Sequence, residues 1–142
     1  MNKINSEGYS DLTAYRALMK IEKEERAARK AAHFRPLVYI CSPYSGDIKT
    51  NTRKAQLYSR FAVTKGAIPL AVHLLFPQFM SEEYERHLAL YMGSVILAKC
   101  SEIWVFGGKI SDGMAVEIAK AERLGKTIRY FTEKLEEQTY ES

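Results

Sequence analysis

A Gly-rich loop, a helix start and one acid on the wrong face of that helix occupy a single stretch of this chain. The stretch is Phe106-Gly-Gly-Lys-Ile-Ser-Asp-Gly-Met-Ala-Val-Glu117-Ile-Ala-Lys-Ala. At about 100° per residue, Met114, Ile118, Ala121 and Leu124 share an apolar face. Glu117 falls between Leu124 and Ala121, inside that face. A carboxylate there is driven toward burial, which raises its pKa. Ser111 is a good N-cap, and Asp112 suits the positive end of the helix. The free amides of a helix start behind Gly107, Gly108 and Gly113 make an anion site. A phosphate cradle beside an acid is what chemistry on a nucleotide requires. The plainer alternative is that Glu117 is the ion-pair partner of a nearby Lys or Arg.

The elements that must position these residues follow from the pattern of apolar runs. Leu37 to Cys41 is continuously apolar, as in a strand covered on both faces. Ser42-Pro-Tyr-Ser-Gly46 is a turn, and Asp47 caps a helix from Ile48 to Lys65. Ala55, Tyr58, Phe61 and Ala62 form its inner face, and Gly66 ends it. Ala67 to Val72 is a second strand, which Pro69 places at a sheet edge. His73 to Met80 reads as an apolar loop. Ser81 caps a helix running to Lys99. Glu102 to Phe106 is the third strand, Ser111 to Leu124 the third helix, and Thr127 to Phe131 the fourth strand. Thr132 to Gln138 reads as a short final helix. Strand and helix alternate, so the fold class is α/β. We expect a flavodoxin- or Rossmann-like three-layer sandwich with a parallel sheet of about four strands in the order 2-1-3-4, preceded by an N-terminal helix. Ligands in such sheets bind beyond the carboxyl ends of the strands, at the switch point. The loops Ser42–Gly46, His73–Phe79 and Gly107–Gly113 would meet there.

Residues 1–34 form a charged leader, with a helix from Asp11 to Ala32. Its second half lacks an apolar stripe, so it projects, packs on another subunit or remains a solvated leader. Residues 35–142 form the α/β domain. The 142 residues are 46% hydrophobic and 27% charged, ordinary for one globular domain. A formal net charge of +4 permits anionic ligands without demanding a nucleic-acid polymer. Cys41 and Cys100 match no metal spacing and read as buried free thiols. No metal and no cofactor is expected. Neither a signal peptide nor a membrane span is legible, which predicts a cytoplasmic protein. Around the loops, Tyr44 is suited to base stacking or to loop packing. Arg53 and Lys109 are phosphate candidates, with Arg53 preferred. Gly46, Gly107, Gly108 and Gly113 permit close backbone approach. Trp104 reads as core.

Tyr39-Ile-Cys-Ser-Pro-Tyr-Ser-Gly46 together with Ser111-Asp-Gly-Met-Ala-Val-Glu117 resembles the nucleoside 2-deoxyribosyltransferase superfamily. The resemblance covers residues 36–131. Met92-Gly-Ser94 before Cys100-Ser-Glu-Ile-Trp-Val-Phe-Gly107 is most similar to its small uncharacterised prokaryotic members. The resemblance implies that Glu117 is the nucleophile on the sugar C1′ and that Tyr39 supports it. It implies that Ser111 stands where transferases carry an aspartate for a free 5′-hydroxyl and monophosphate hydrolases a serine for the 5′-phosphate. That favours a nucleotide. It also puts Ser94 where an aspartate usually helps the base to leave, so His73 or His87 would have to supply the proton. The resulting expectation is a nucleotide N-glycosidase or deoxyribosyltransferase-like hydrolase. Its substrate side would include Ser42, Tyr44, Gly46, Arg53, His73, Ser94, Gly108, Ser111 and Gly113. The alternative, supported by Ser94, is a non-catalytic module that binds a nucleotide or dinucleotide derivative. A helix-mediated interaction protein built on the leader is a third reading. The resemblance implies a homodimer or higher homo-oligomer. The helix 81–99, with Tyr84, Leu88, Leu90, Tyr91, Met92, Val95, Ile96 and Leu97, is apolar beyond one stripe. Leu12, Tyr15 and Met19 of the leader are the other possible cover.

Overall fold

The computed structural model describes residues 10–32 and 34–139. The chain divides into two units, Met1–Arg35 and Pro36–Ser142. In the first, α1 (Ser10–Ala32) is one continuous helix. Its run from Glu22 to Arg29, all Glu, Lys, Arg and Ala, is exposed throughout, so helix propensity rather than burial sets its conformation.

The second unit holds β1 (Leu37–Cys41), α2 (Ile48–Thr64), β2 (Ile68–Leu70), α3 (Val72–Leu75), α4 (Arg86–Lys99), β3 (Glu102–Phe106), α5 (Asp112–Arg123), β4 (Thr127–Phe131) and β5 (Glu137–Gln138). The sheet order is β2-β1-β3-β4-β5, parallel except for the last pair. This is a Rossmann-like α/β fold. β1 and β3 are apolar at every central position because both faces are covered. Tyr39, Cys41, Ile103 and Val105 pack with Leu97, Met114, Ile118 and Ala121 on the α4–α5 side. Val38, Ile40, Trp104 and Phe106 pack with Tyr58 and Ala62 of α2 on the other. Trp104 is a core residue, and its indole N–H donates to Glu102 at 3.0 Å.

Asp47 caps α2, accepting from the Thr50 N–H at 3.2 Å. Ser111 caps α5, accepting from the Met114 N–H at 3.3 Å. Gly66 and Gly125 end α2 and α5 with φ of +84° and +69°, the left-handed geometry that favours glycine.

Five expectations are corrected. β2 is only three residues long, because the chain turns into helix at Val72. The segment read as an apolar loop is α3 followed by a 3-10 turn, Phe76–Gln78. Ser81 does not start the long helix. It closes a separate turn in which its hydroxyl accepts from the Tyr84 N–H and the Glu85 carboxylate accepts from the Ser81 N–H. α4 therefore begins five residues later, at Arg86. The expected final helix is a hairpin. The Thr132 hydroxyl accepts from the Lys134 and Glu136 N–H groups, Leu135 takes φ +67°, and β5 returns antiparallel to β4. Arg129 grips Glu137 with two bonds of 2.7 Å, a bidentate pair stronger than a local helix preference. Leu124 is also exposed rather than on the inner face, since it lies past the last residue of α5.

Candidate active site

A cleft of about 850 Å³ opens beyond the carboxyl ends of β1 and β3. Its floor is Tyr39, Ser42 and Glu117, and its walls come from α3, α4 and the start of α5. Strand order changes direction here, because the chain leaves β1 toward β2 on one side and returns to β3 on the other.

Glu117 lies one turn past the start of α5, and its side chain turns inward against β1. Its carboxylate accepts from the Tyr39 hydroxyl and from the Cys41 thiol, the latter at 3.9 Å. Cys41 also reaches the Met114 carbonyl at 4.0 Å. Burial pushes Glu117 up to about 7, and the two hydrogen bonds pull the other way without cancelling it. Burial, reinforced by the Glu117 carboxylate, holds both Tyr39 and Cys41 well above their usual ranges. Both therefore stay protonated and act as neutral donors. The ion pairs Lys54–Glu133 and Arg129–Glu137 lie elsewhere among the described residues and do not involve Glu117. Glu117 thus has no cationic partner there, and the plain ion-pair account of an acid in an apolar face does not apply.

This has a consequence for stability that needs no ligand. The folded-state pKa of Glu117 lies above the ordinary 4.5. Ionisation therefore weakens the fold as pH rises from about 4.5 through about 7, and the whole cost is present above that. Glu117→Gln keeps an acceptor for Tyr39 but carries no charge. We expect it to match the wild type near pH 4.5 and to exceed it at pH 8.5 by on the order of 2 kcal/mol. Thermal melts of both proteins across that range test this. A difference that does not change with pH would contradict the burial of a carboxylate.

Ser42 is buried, and its hydroxyl has no hydrogen-bond partner within the protein. It lines the cleft, so a ligand is its natural partner. His73, in α3, stacks on Tyr44 with centroids 4.7 Å apart and planes at 15°. Its ring donates to the Ser42 backbone, and burial pushes its pKa down. It is a neutral hydrogen-bonding ring, which makes it a weak source of a proton for a leaving group. His87 is exposed on α4 and does not line the cleft.

Of the residues singled out in the sequence, Tyr39, Ser42, Tyr44, His73, Ser94, Ser111, Gly113 and Glu117 line this one cleft. Gly46, Arg53 and Gly108 do not. Arg53 is exposed on α2, which packs on the opposite face of the sheet. Gly46 has φ +96° and serves the turn into α2, while Gly108 is exposed with open space where a Cβ would stand. Sequence reasoning missed Lys120, Arg86 and Glu82, which also line the cleft. Lys120 had a visible signal. It lies three residues after Glu117 on the same helix, so the two occupy one face. Arg86 and Glu82 had none, because the turn at 81–85 displaces the start of α4. Among the described residues, no group of three or more His, Cys, Asp or Glu is placed to hold a metal ion. Nor is any helix among them long and apolar enough to cross a membrane.

A family model described as a domain of unknown function, DUF7768, matches residues 36–131, and the chain belongs to that family. No curated protein matches the chain. Among solved structures it is similar to one from the characterization of a 2-deoxyribosyltransferase of the psychrotolerant bacterium Bacillus psychrosaccharolyticus. The identity is 20%, over 68% of this chain and 72% of that one, with a TM-score of 0.49. A likeness that low does not say what this cleft acts on.

Proposed function

We propose that this protein cleaves the base–sugar bond of a nucleoside 5′-monophosphate, with Glu117 acting at the anomeric carbon. The observation that carries this reading is the half-buried Glu117 carboxylate, held by Tyr39 and Cys41 without a cation and opening on the cleft. The phosphate would lie at Ser111, whose turn offers a hydroxyl and the unsatisfied amides of the start of α5. A Glu117 oxygen forms a bond to C1′ while the base departs with the bonding pair and takes a proton from solvent. Water then attacks C1′, releases the sugar phosphate and restores the carboxylate. A second base in place of water would give transfer. Only ionised Glu117 is a nucleophile, so the rate should rise with pH through about 7.

Incubation with a panel of ribo- and deoxyribonucleoside monophosphates, with chromatography for free base, tests the proposal. Release of base from at least one member is expected. Binding without release would favour the second reading, a nucleotide-binding module without turnover. The observation behind that reading is Ser94, bonded to Lys120, at the place where the resemblance leads one to expect an acid.

We also propose a homo-oligomer. Leu90 of α4 and Ile110 and Val116 at the α5 side are 59%, 52% and 70% exposed at the rim of the cleft. Leu88 and Tyr91 extend that apolar surface along α4. A second copy seated there would cover the rim. Light scattering on the full chain should give a dimer or larger, and Tyr91→Asp should shift it toward monomer. A monomeric wild type would overturn this.

A further inference from the structure

Lys120 is tied to a single residue of another helix. Its ammonium donates to the Ser94 carbonyl at 2.8 Å and also to the Ser94 hydroxyl oxygen. An ammonium has three donors and no acceptor, so one N–H remains. The Ser94 hydroxyl keeps its own hydrogen to donate as well. Both residues are half-buried and both line the cleft. This end of the cleft therefore offers two donors side by side.

Position along α5 assigns them a part of the ligand. Ser111 marks the helix start, Glu117 lies six residues on and Lys120 nine. At 1.5 Å per residue these are separations of about 9 and 14 Å along the axis. Phosphate, sugar and base follow one another in a nucleotide in the same order. With the phosphate at Ser111 and the anomeric carbon at Glu117, the base edge would lie toward Lys120 and Ser94, which line the same cleft.

We propose that Lys120 and Ser94 are specificity-determining residues that select a 6-oxopurine over a 6-aminopurine. The inference rests on the nucleotide reading above. A 6-oxopurine presents two adjacent acceptors, N7 and O6, to a pair of donors. Adenine presents N7 and an amino group, which sets N–H against N–H and leaves a half-buried donor unpaired. A cationic base would in addition be repelled by the ammonium.

Calorimetric titration of the full chain with inosine and adenosine 5′-monophosphates tests this, on the wild type, Lys120→Met and Ser94→Ala. The wild type should bind the inosine nucleotide at least about tenfold tighter. Lys120→Met should bring the two within about twofold, by losing inosine affinity and removing the donor that adenine leaves unpaired, and Ser94→Ala should reduce the ratio in the same way. Thermal melts that match the wild type report that the variants are folded, and adenosine affinity that does not fall reports that the loss belongs to the base edge. Equal binding by the wild type overturns the inference while the nucleotide reading stands. So does a ratio that survives Lys120→Met. A wild type that binds neither ligand overturns the inference, and the nucleotide reading falls with it only if no member of the monophosphate panel binds. Oxopurine preference without base release supports the inference and removes the glycosidase.

Discussion

Glu117→Ala is expected to lower base release from a nucleoside 5′-monophosphate by at least about 10³-fold while the protein stays folded. The nucleophile is removed outright, and no other described carboxylate lies between Tyr39 and Cys41. The cleft's other acids, Glu82 and Asp112, sit on the turn before α4 and at the first residue of α5. Folding should survive because Glu117 holds no ion pair and its loss relieves a half-buried charge. The cost is limited to two orphaned donors, the Tyr39 hydroxyl and the Cys41 thiol. Single-turnover assays with chromatographic detection, alongside thermal melts, measure both halves. A variant that turns over at the wild-type rate would remove Glu117 from the reaction. If the protein only binds, the same variant should hold a monophosphate more tightly, because one of two neighbouring anions is gone.

The strands and the helices that cover them were legible because each carries a local signal. The unbroken apolar runs of β1 and β3 reflect burial on both faces, and the Asp47, Ser111, Gly66 and Gly125 boundaries are set by capping within a few residues. Glu117 was legible for the same reason, since it interrupts the apolar face formed by Met114, Ile118 and Ala121. The segments that went astray depend on partners distant in sequence or on turns that resemble helix starts. Residues 81–85 carry a serine followed by glutamates, the usual mark of a helix start, yet Glu85 closes the turn back on Ser81. Residues 132–138 are helix formers, but Arg129 draws Glu137 into a strand. Arg53 looked close to the site along the chain, and α2 carries it to the far face of the sheet.

The pairing of Lys120 with Ser94 links residues 26 apart on two helices. Helical spacing puts Lys120 beside Glu117, but only the packing of α4 against α5 shows what its ammonium meets. The unpartnered Ser42 hydroxyl is likewise a tertiary fact: the turn after β1 was readable, whereas its burial among α3 and the sheet was not. What distinguishes this cleft from a generic pocket is therefore one residue visible in the sequence, Glu117, surrounded by neutral donors that only the fold assembles.

Ser111→Asp should separate a phosphate site from a sugar site. The residue is the N-cap of α5, and its hydroxyl accepts from the Met114 N–H. Aspartate caps as well as serine, so the helix should keep its start and the protein its stability. What changes is charge: a second carboxylate joins Asp112 in the turn that faces the cleft. A 5′-phosphate bound to the helix amides would meet that carboxylate directly. A neutral 5′-hydroxyl would instead donate a hydrogen bond to it. We expect Ser111→Asp to weaken a nucleoside monophosphate by on the order of 2–3 kcal/mol, the scale of a charge-assisted hydrogen bond lost in a partly buried site. The matching nucleoside should lose little or bind more tightly. Titration calorimetry with both ligands, at a pH where the phosphate is a dianion, reads the difference, and added salt should shrink it. Equal losses for nucleotide and nucleoside would mean that Ser111 only caps the helix and that the phosphate lies elsewhere.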